Sequence, residues 1–417
     1  MAEKQSSALA KRTPSVSKLR LGAALSLAAF MAACATAPTH VPTHPQPGPP
    51  PPPPPPTGTT VETQEGVTPP FMQGRRITRV GLLLPFTMRP QDAASLYNAA
   101  ELALFDHGDE NTLLIPRDAG SDQASAQAAA VALVHDGADI IIGPVLREGV
   151  QGAGVAARGQ NIPVIGFSSD RSIAGNGIYL LSFQLEDEIA RLAQFAASRN
   201  IRSIALIAPS NEYGRRVQQA LQAEAGRNGI TITQSVLYNR SDADATSTAR
   251  SLATALQATP TQAVLIADSG SPLRAVSVAL VQGGIDPHHV QFLGTSAWLG
   301  DAMREPTLAG GWYVSPDPSA RTDFDARYQS VFNALPARVA SLGYDAVALA
   351  TTLSRNGGPQ GFGRGAIENR EGFAGSDGLF RFDSDGSIER GLAIMEVRAN
   401  TVGVLDPAPH RFANASG

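Results

Sequence analysis

The sequence predicts an α/β fold with two doubly wound, three-layer lobes. From Arg75 onward, short apolar runs alternate with longer amphipathic ones, which is the pattern of repeated βα units. The short runs are continuous in Ile, Val and Leu, as in parallel strands that are covered on both faces. The strand candidates are too many for one such sheet, so we predict two lobes.

The predicted elements alternate along most of the chain. Strands are predicted at 77–84, 112–115, 139–142, 163–167, 178–183, 203–207, 230–235, 263–267, 291–294 and 312–314. Helices are predicted at 92–106, 123–136, 148–157, 186–198, 213–227, 243–256 and 272–282. The run 179–187 ends the first lobe and leads into the first helix of the second lobe.

The C-terminal part breaks this alternation. Two helices are predicted at 323–334 and 338–353, followed by a Gly-rich loop. The stretch 378–397 alternates about Asp385 and Gly386, a composition typical of a tight hairpin. An EF-hand built on Asp383, Asp385 and Glu389 is the alternative, but the spacing of its calcium loop is missing.

These elements divide the chain into four parts. We expect a signal peptide at 1–33, a linker at 34–74, a globular domain at 75–408 and a tail at 409–417. Within the domain, the first lobe is assigned to about 75–184 and 316–355. The second lobe is assigned to about 185–315 and 356–408.

The single cysteine, Cys34, follows an apolar run that is preceded by cationic residues, as in a secretory signal. The apolar run is too short to span a bilayer. Met31, Ala32, Ala33 and Cys34 resemble the lipobox of bacterial lipoproteins, which implies that Cys34 carries the lipid anchor. The alternative is a buried core cysteine, although a proline tract follows directly. Ala35 and Thr36 favour the outer membrane, facing the periplasm, over retention at the inner membrane.

The linker contains eight consecutive prolines, 49–56. Prolines in series adopt polyproline II, which rises about 3.1 Å per residue and forms a stiff spacer. The tract is therefore interpreted as a spacer between membrane and domain, rather than as a ligand for SH3-like modules.

Composition excludes several classes of function. Without the five cations and one acid of the signal segment, the totals of 33 cations and 37 acids leave a net charge of about −8. This acidic balance argues against nucleic-acid binding. His288 and His289 beside Asp286 are a weak metal signal, so no metal or cofactor is predicted. The glycines near 152–154 lie inside a predicted helix, no nucleophile elbow is found, and no catalytic residue is predicted.

Several segments together carry a family resemblance. These are VGLLLPF (80–86), ADIIIGPV (138–145), NIPVIGFSSD (161–170), IALIAPSNEYGRR (204–216), AVLIADSG (263–270), FLGTSAW (292–298) and LGYDAVALA (342–350). In this order they resemble the type I periplasmic binding fold, of the Leu/Ile/Val-binding kind. Together with the lipobox, the spacer and FAGSDGLFRFDSDGSIERGLAIMEV (373–397), they resemble the penicillin-binding protein activators. That resemblance implies an outer-membrane lipoprotein that stimulates a bifunctional peptidoglycan synthase and is not an enzyme.

Ligands of such a fold bind at the carboxyl ends of the strands, where helix N-termini favour anionic groups. The candidate cleft residues in the first lobe are Phe86, Thr87, Gly143, Pro144, Val145, Arg147, Ser168 and Ser169. Those in the second lobe are Asn211, Tyr213, Asp268, Ser269, Ser296 and Trp298. For each residue, a role in a turn or a helix cap is the alternative.

One loop departs from the pattern of amino-acid-binding relatives. Those relatives place a small hydroxyl residue after the strand glycine, whereas Gly143 is followed by Pro144, Val145, Leu146 and Arg147. The side chain of Arg147 can instead pair with an anion. The sequence therefore favours an activator of a peptidoglycan synthase, class A penicillin-binding protein. The alternative is the substrate-binding lipoprotein of an ABC importer for amino acids or similar small ligands.

Overall fold

The computed structural model describes residues 68–108 and 110–412. The predicted signal segment, the lipidation site at Cys34, the proline tract and the end of the tail lie outside the described residues. Among the residues that are described, no helix is both long and apolar enough to cross a membrane.

The first lobe is a parallel five-stranded sheet between two helical layers. Its strands are β1 (Thr78–Leu84), β2 (Thr112–Asp118), β3 (Ile140–Ile142), β4 (Val164–Gly166) and β5 (Ile178–Leu180), in the order β2-β1-β3-β4-β5. The helices between them are α1 (Pro90–His107), α2 (Gln123–His135) and α3 (Arg147–Arg158). Alternate residues of β1 explain the continuous apolar run: Leu82 packs on the α1 side, whereas Leu83 packs against α2 and α3.

The second lobe repeats this plan. Its helices are α4 (Leu185–Ser198), α5 (Glu212–Asn228), α6 (Asp242–Ala258) and α7 (Gly270–Gln282). Its strands are β6 (Ser203–Pro209), β7 (Thr231–Tyr238), β8 (Ala263–Ile266), β9 (Gln291–Gly294) and β10 (Trp312–Ser315). Local chemistry sets the ends of α5, because the Asn211 side chain accepts a hydrogen bond from Gly214 N–H and Gly229 takes the left-handed conformation, φ 64°. The two-lobed α/β fold predicted from the sequence is confirmed.

The chain then returns to the first lobe. This segment contains α8 (Pro318–Phe332), α9 (Ala340–Gly357), α10 (Arg364–Ile367), β11 (Phe373–Gly375), β12 (Gly378–Phe382) and β13 (Ile388–Arg390). Strands β12 and β13 pair antiparallel about Asp385 and Gly386, so the predicted hairpin is present. Its second arm ends earlier than predicted, because β14 (Ala393–Arg398) leaves for the other lobe and pairs antiparallel with β10 and with β15 (Thr401–Asp406).

The lobe boundaries differ from the prediction in this segment. Residues 356–390 were assigned to the second lobe, but Phe362, Phe380 and Ile388 are buried in the core of the first lobe beside α1 and α9. Only the segment from β14 onward completes the second sheet, whose order is β15-β14-β10-β9-β8-β6-β7. The apolar side chains of β12 and β13 pack against α9, so these two strands belong to the first lobe.

The chain crosses between the lobes three times, around 181–184, 316–317 and 391–392. Arg390 ties two of these crossings, since its Nε donates to the carbonyl of Ser182 at 2.9 Å. Its guanidinium also stacks on the ring of Phe183, with 4.8 Å between Cζ and the ring centroid. The two lobes therefore meet along a polar, largely buried hinge.

Candidate functional site

A cleft of about 730 Å³ lies between the two lobes. Helices α4 and α5 and the segment after β9 supply most of one wall, while the loop after β4 and the segment before α9 supply the other. A second cavity of about 370 Å³ continues it toward the β10 crossing and shares Leu299 and Arg338 with it. The cleft is lined by Ser169, Phe183, Leu185, Glu188, Glu212, Tyr213, Arg216, Ser269, Ser296, Ala297, Leu299, Asp301 and Arg338.

The second-lobe wall is rigid because its polar groups bond to one another. Glu188 is buried and accepts hydrogen bonds from the backbone N–H (2.9 Å) and the hydroxyl (2.6 Å) of Ser296. Burial raises the pKa of Glu188, and the bonds from Ser296 oppose that shift. The Tyr213 hydroxyl lies 2.6 Å from Oγ1 of Thr295, and burial raises the pKa of this tyrosine. These groups shape the wall but are already engaged.

Arg216 joins the lobes across the cleft. Its Nη2 donates to Oε2 of Glu186 at 2.9 Å, and both residues belong to the second lobe. The same atom donates to the backbone carbonyl of Ser169 in the first lobe at 3.2 Å. The guanidinium is thus held by a carboxylate on its own lobe while it contacts the opposite one. This contact positions the loop after β4 against α5.

Arg338 is a different kind of cation. It is exposed to the cleft, and its guanidinium stacks on half-buried Phe183, with 4.9 Å between Cζ and the ring centroid. Among the residues described, no side chain forms a hydrogen bond or an ion pair with this guanidinium, although Glu188 lies near enough to favour its charge. Solvent reaches Arg338, but protein on both sides displaces part of its hydration and lowers its pKa.

Four of the predicted residues line the cleft: Ser169, Tyr213, Ser269 and Ser296. The backbone carbonyl of Ser169 contacts Arg216, and both polar groups of Ser296 bind Glu188. Residues that follow strands of the second lobe therefore reach the cleft at Tyr213, Ser269 and Ser296.

The other second-lobe candidates have structural roles. Trp298 is fully buried, and its Nε1 donates to the carbonyl of Ile266 at 2.9 Å, so it packs in the core and does not face the cleft. Asp268 is buried and accepts hydrogen bonds from Tyr238, from Arg240 and from the backbone N–H of Ser269. Asn211 caps α5, and a helix cap was the alternative role for this residue.

The remaining first-lobe candidates also lie outside the lining of the cleft. Phe86 packs edge-on against Tyr97 at 6.2 Å, and the Thr87 hydroxyl donates to Asp118. Gly143 has φ 89°, and a Cβ there would meet the Leu83 carbonyl oxygen at 2.1 Å, so glycine is required for close strand packing. Pro144 and Val145 border the loop before α2.

Arg147 pairs with Asp170 at 3.2 Å, and the hydroxyl oxygen of Ser168 accepts a hydrogen bond from the backbone N–H of Asp170. Asp170 in turn caps the short helix Arg171–Ile173. The anion that Arg147 was expected to bind is therefore a carboxylate of its own lobe.

Sequence reasoning did not identify Phe183, Glu188, Arg216 or Arg338. Phe183 ends a predicted strand and Arg338 begins a predicted helix. The missing information is that 336–339 lies beside the first crossing between the lobes, which only the tertiary structure provides. Within the described residues, no group of three or more His, Cys, Asp and Glu side chains could hold a metal ion. The His289 ring instead bonds to Asp286 at 2.8 Å.

Comparison with known proteins agrees with this architecture. A sequence model described as "Periplasmic binding protein" matches residues 78–401. Among curated proteins, no sequence matches this chain.

Solved structures share the fold at low sequence identity. A protein assigned as a branched-chain amino acid ABC transporter from Rhodospirillum rubrum is 19% identical, with TM-score 0.69, covering 79% of this chain and 100% of that one. A solute binding protein from Rhodopseudomonas palustris BisB5 in complex with 3,4-dihydroxybenzoic acid is 18% identical, with TM-score 0.57, covering 81% and 98%. A leucine binding protein from Thermotoga maritima is 16% identical, with TM-score 0.55, covering 80% and 99%.

Proposed function

Because this chain belongs to the periplasmic binding protein family, we propose that it is a receptor whose interlobe cleft binds a small organic acid of about amino-acid size. Membership of the family implies a periplasmic location. The single observation that carries the proposal is Arg338, a solvent-accessible guanidinium in the cleft that has no carboxylate partner among the described residues.

Several charged side chains of the cleft already have partners within the protein. Arg216 is paired with Glu186, Glu188 is bonded by Ser296, and Asp301 accepts the backbone N–H of Gly270 at 2.8 Å. Arg338 therefore remains available to a ligand, and guanidinium groups bind carboxylates in a bidentate manner. The ring of Phe183 supports the guanidinium from one side, and Arg390 stacks on the same ring.

Glu212 is the second available charge. It is exposed at the first turn of α5, lines the cleft, and has no ion pair or hydrogen bond of its side chain among the described residues. A carboxylate at this position can accept an ammonium group. The cleft thus offers a cation for a carboxylate and an anion for an amine, which suits amino acids as well as simple acids.

The proposal is tested by a thermal-shift screen of the purified chain against amino acids, their amides and small aromatic acids. A ligand at 100 times its Kd stabilises the native state by about 2.7 kcal/mol. For any acid that binds, Arg338→Ala should weaken the affinity by about tenfold or more, because a charge-assisted hydrogen bond is lost. Arg250→Ala, which removes an exposed arginine from α6, is the matched control and should bind as the parent does.

Two results contradict the proposal. One is the absence of any stabilising acid across the screen. The other is an acid whose affinity is the same for the parent and for Arg338→Ala.

A second candidate function comes from the sequence. The lipobox at Cys34, the proline spacer and the resemblance to penicillin-binding protein activators support an outer-membrane, lipid-anchored protein that stimulates a peptidoglycan synthase. The pairing of Arg147 with Asp170 adds to this, since the loop after β3 offers no small hydroxyl residue to a ligand carboxylate.

Two measurements test this candidate. Mass spectrometry of the mature protein should find acyl chains on Cys34. The purified domain should accelerate glycan polymerisation or transpeptidation by a class A synthase in vitro. Unchanged synthase activity together with no binding to the synthase contradicts it.

A further inference from the structure

The first lobe contains a cavity of about 1000 Å³ that is separate from the interlobe cleft. It lies between α8, α9 and the segment that leads through α10 into β11 and β12. It shares no lining residue with the interlobe cleft. A volume of this size accommodates a small organic molecule.

Two aromatic pairs line this first-lobe cavity from opposite elements. Phe324 and Tyr344, from α8 and α9, meet edge-to-face with 5.3 Å between their ring centroids. Phe373 and Phe380, from β11 and β12, are tilted with 5.7 Å between centroids. Arg321 already stacks on Phe324 and Arg390 on Phe380, so the rings of the two pairs without a stacked cation among the described residues are Tyr344 and Phe373. Aromatic faces carry partial negative charge and favour a cation of moderate size.

The ionised side chains that line the cavity add to this preference. Asp345 is buried; its Oδ1 accepts the backbone N–H and the hydroxyl of Ser376, and its Oδ2 has no hydrogen-bond partner. Asp323 is exposed and forms no ion pair among the described residues. The cation in the lining, Arg327, is already paired with Asp106 at 2.9 Å. The charged side chains that line the cavity without an ion pair among the described residues are therefore carboxylates, and the buried Arg390 behind the lining favours the charge of Asp345.

Glycines keep the cavity open. A Cβ at Gly375 would lie 2.6 Å from Oδ2 of Asp345. At Gly365, in contrast, a Cβ would meet no atom within 4 Å, so this helical position faces open space. Gly365 also lines the cavity, so a large side chain there would take up space at the cavity wall.

We propose that the first-lobe cavity is a second binding site, which takes a small organic cation with an apolar or aromatic body, such as an arylalkylamine. The apolar body lies among the four rings, and the ammonium group is attracted by Asp323 and Asp345. The site is independent of the interlobe cleft and of the function proposed for that cleft.

Three probes of the same size and shape separate charge from apolar contact: phenethylamine, 2-phenylethanol and phenylacetate. Their binding to the purified full chain is measured by calorimetry and saturation-transfer NMR at pH 7.5. We expect phenethylamine to bind about tenfold more tightly than 2-phenylethanol, because only the charged amine can form a cation–aromatic contact and an ionic contact away from water.

Variants then locate the site. Gly365→Phe and Asp345→Asn should each weaken phenethylamine binding by about tenfold. Gly226→Phe, a matched change at an open helical glycine of α5, and Arg338→Ala in the interlobe cleft should leave it unchanged. Loss of phenylacetate binding in Arg338→Ala, with phenethylamine binding retained, separates this site from the cleft.

The pH dependence gives a further readout. Burial raises the pKa of Asp345 to about 6; Arg390 opposes this shift and Asp377 adds to it. His107 also lines the cavity, and its Nε2 lies 2.9 Å from the Tyr344 hydroxyl. Phenethylamine affinity should therefore fall between pH 7.5 and pH 5, whereas 2-phenylethanol affinity should not. Equal binding of the amine and the alcohol, or amine binding that Gly365→Phe does not weaken, overturns the proposal.

Discussion

Asp187 allows a quantitative prediction about the hinge. It lies in the first turn of α4, and its Oδ1 is 3.4 Å from Nη2 of Arg171, which belongs to the first lobe. Its Oδ2 is buried and has no hydrogen-bond partner. Burial raises the pKa of Asp187 to about 7 from the ordinary 3.8, and the Arg171 charge only partly offsets that burial.

The direction of the pH effect follows from this shift. The folded chain keeps a proton on Asp187 at pH values where the unfolded chain has released it. The contribution of this group to stability is therefore fully present below pH 3.8 and is lost as the pH rises through 7. Each pH unit between the two pKa values changes the free energy of unfolding by about 1.4 kcal/mol. From pH 5.5 to pH 8.5 the loss amounts to about 2 kcal/mol.

Asp187→Asn isolates this contribution, because an amide keeps the shape and does not titrate. The variant should be stabilised relative to the parent by about 2 kcal/mol more at pH 8.5 than at pH 5.5. Urea denaturation at the two pH values measures this difference. Asp323→Asn, at an exposed aspartate, is the control and should show no such change. A difference between Asp187→Asn and the parent that stays constant with pH refutes the assignment.

Three further predictions concern structural roles. Trp298→Phe should lower the free energy of unfolding by about 3 kcal/mol, measured in urea, because it opens a cavity and leaves the Ile266 carbonyl unbonded; a loss under about 1 kcal/mol contradicts its core role. Asn211→Ala should cost about 1 kcal/mol, since it removes the cap of α5, and Asn211→Asp should restore most of it; equal stability of all three chains would argue against the cap. Arg216→Ala should increase hydrogen exchange in the loop after β4, where its contact with Ser169 is lost, and unchanged exchange there contradicts the bridge.

Much of the fold could be predicted because local sequence determines it. All the predicted strands from 77–84 to 312–314 are present, since most are short apolar runs that alternate with helices. The lobe of residues 356–390 could not be predicted, because an amphipathic hairpin packs equally well against either lobe by pattern alone. Only its contact with α9 decides the assignment.

The candidate site was predictable only where strand ends determine it. Ser169, Tyr213, Ser269 and Ser296 follow strands and line the cleft. Trp298 follows a strand as well, but its large ring, four residues beyond Gly294, turns back over that glycine and into the core. Arg338 comes from a connection between two helices, and no strand-end rule indicates that such a segment approaches the opposite lobe.

The pairing of β14 with β10 has a consequence for synthesis of the chain. Until residues 393–398 leave the ribosome, one edge of Trp312–Ser315 has no strand beside it, and uncovered edges promote aggregation. The helices and central strands of the second lobe are translated early, but its sheet is completed only after residues 393–406 have been translated. A premature stop shortly before position 393 should therefore yield an insoluble product, not a soluble chain with a functional first lobe and an incompletely folded second lobe.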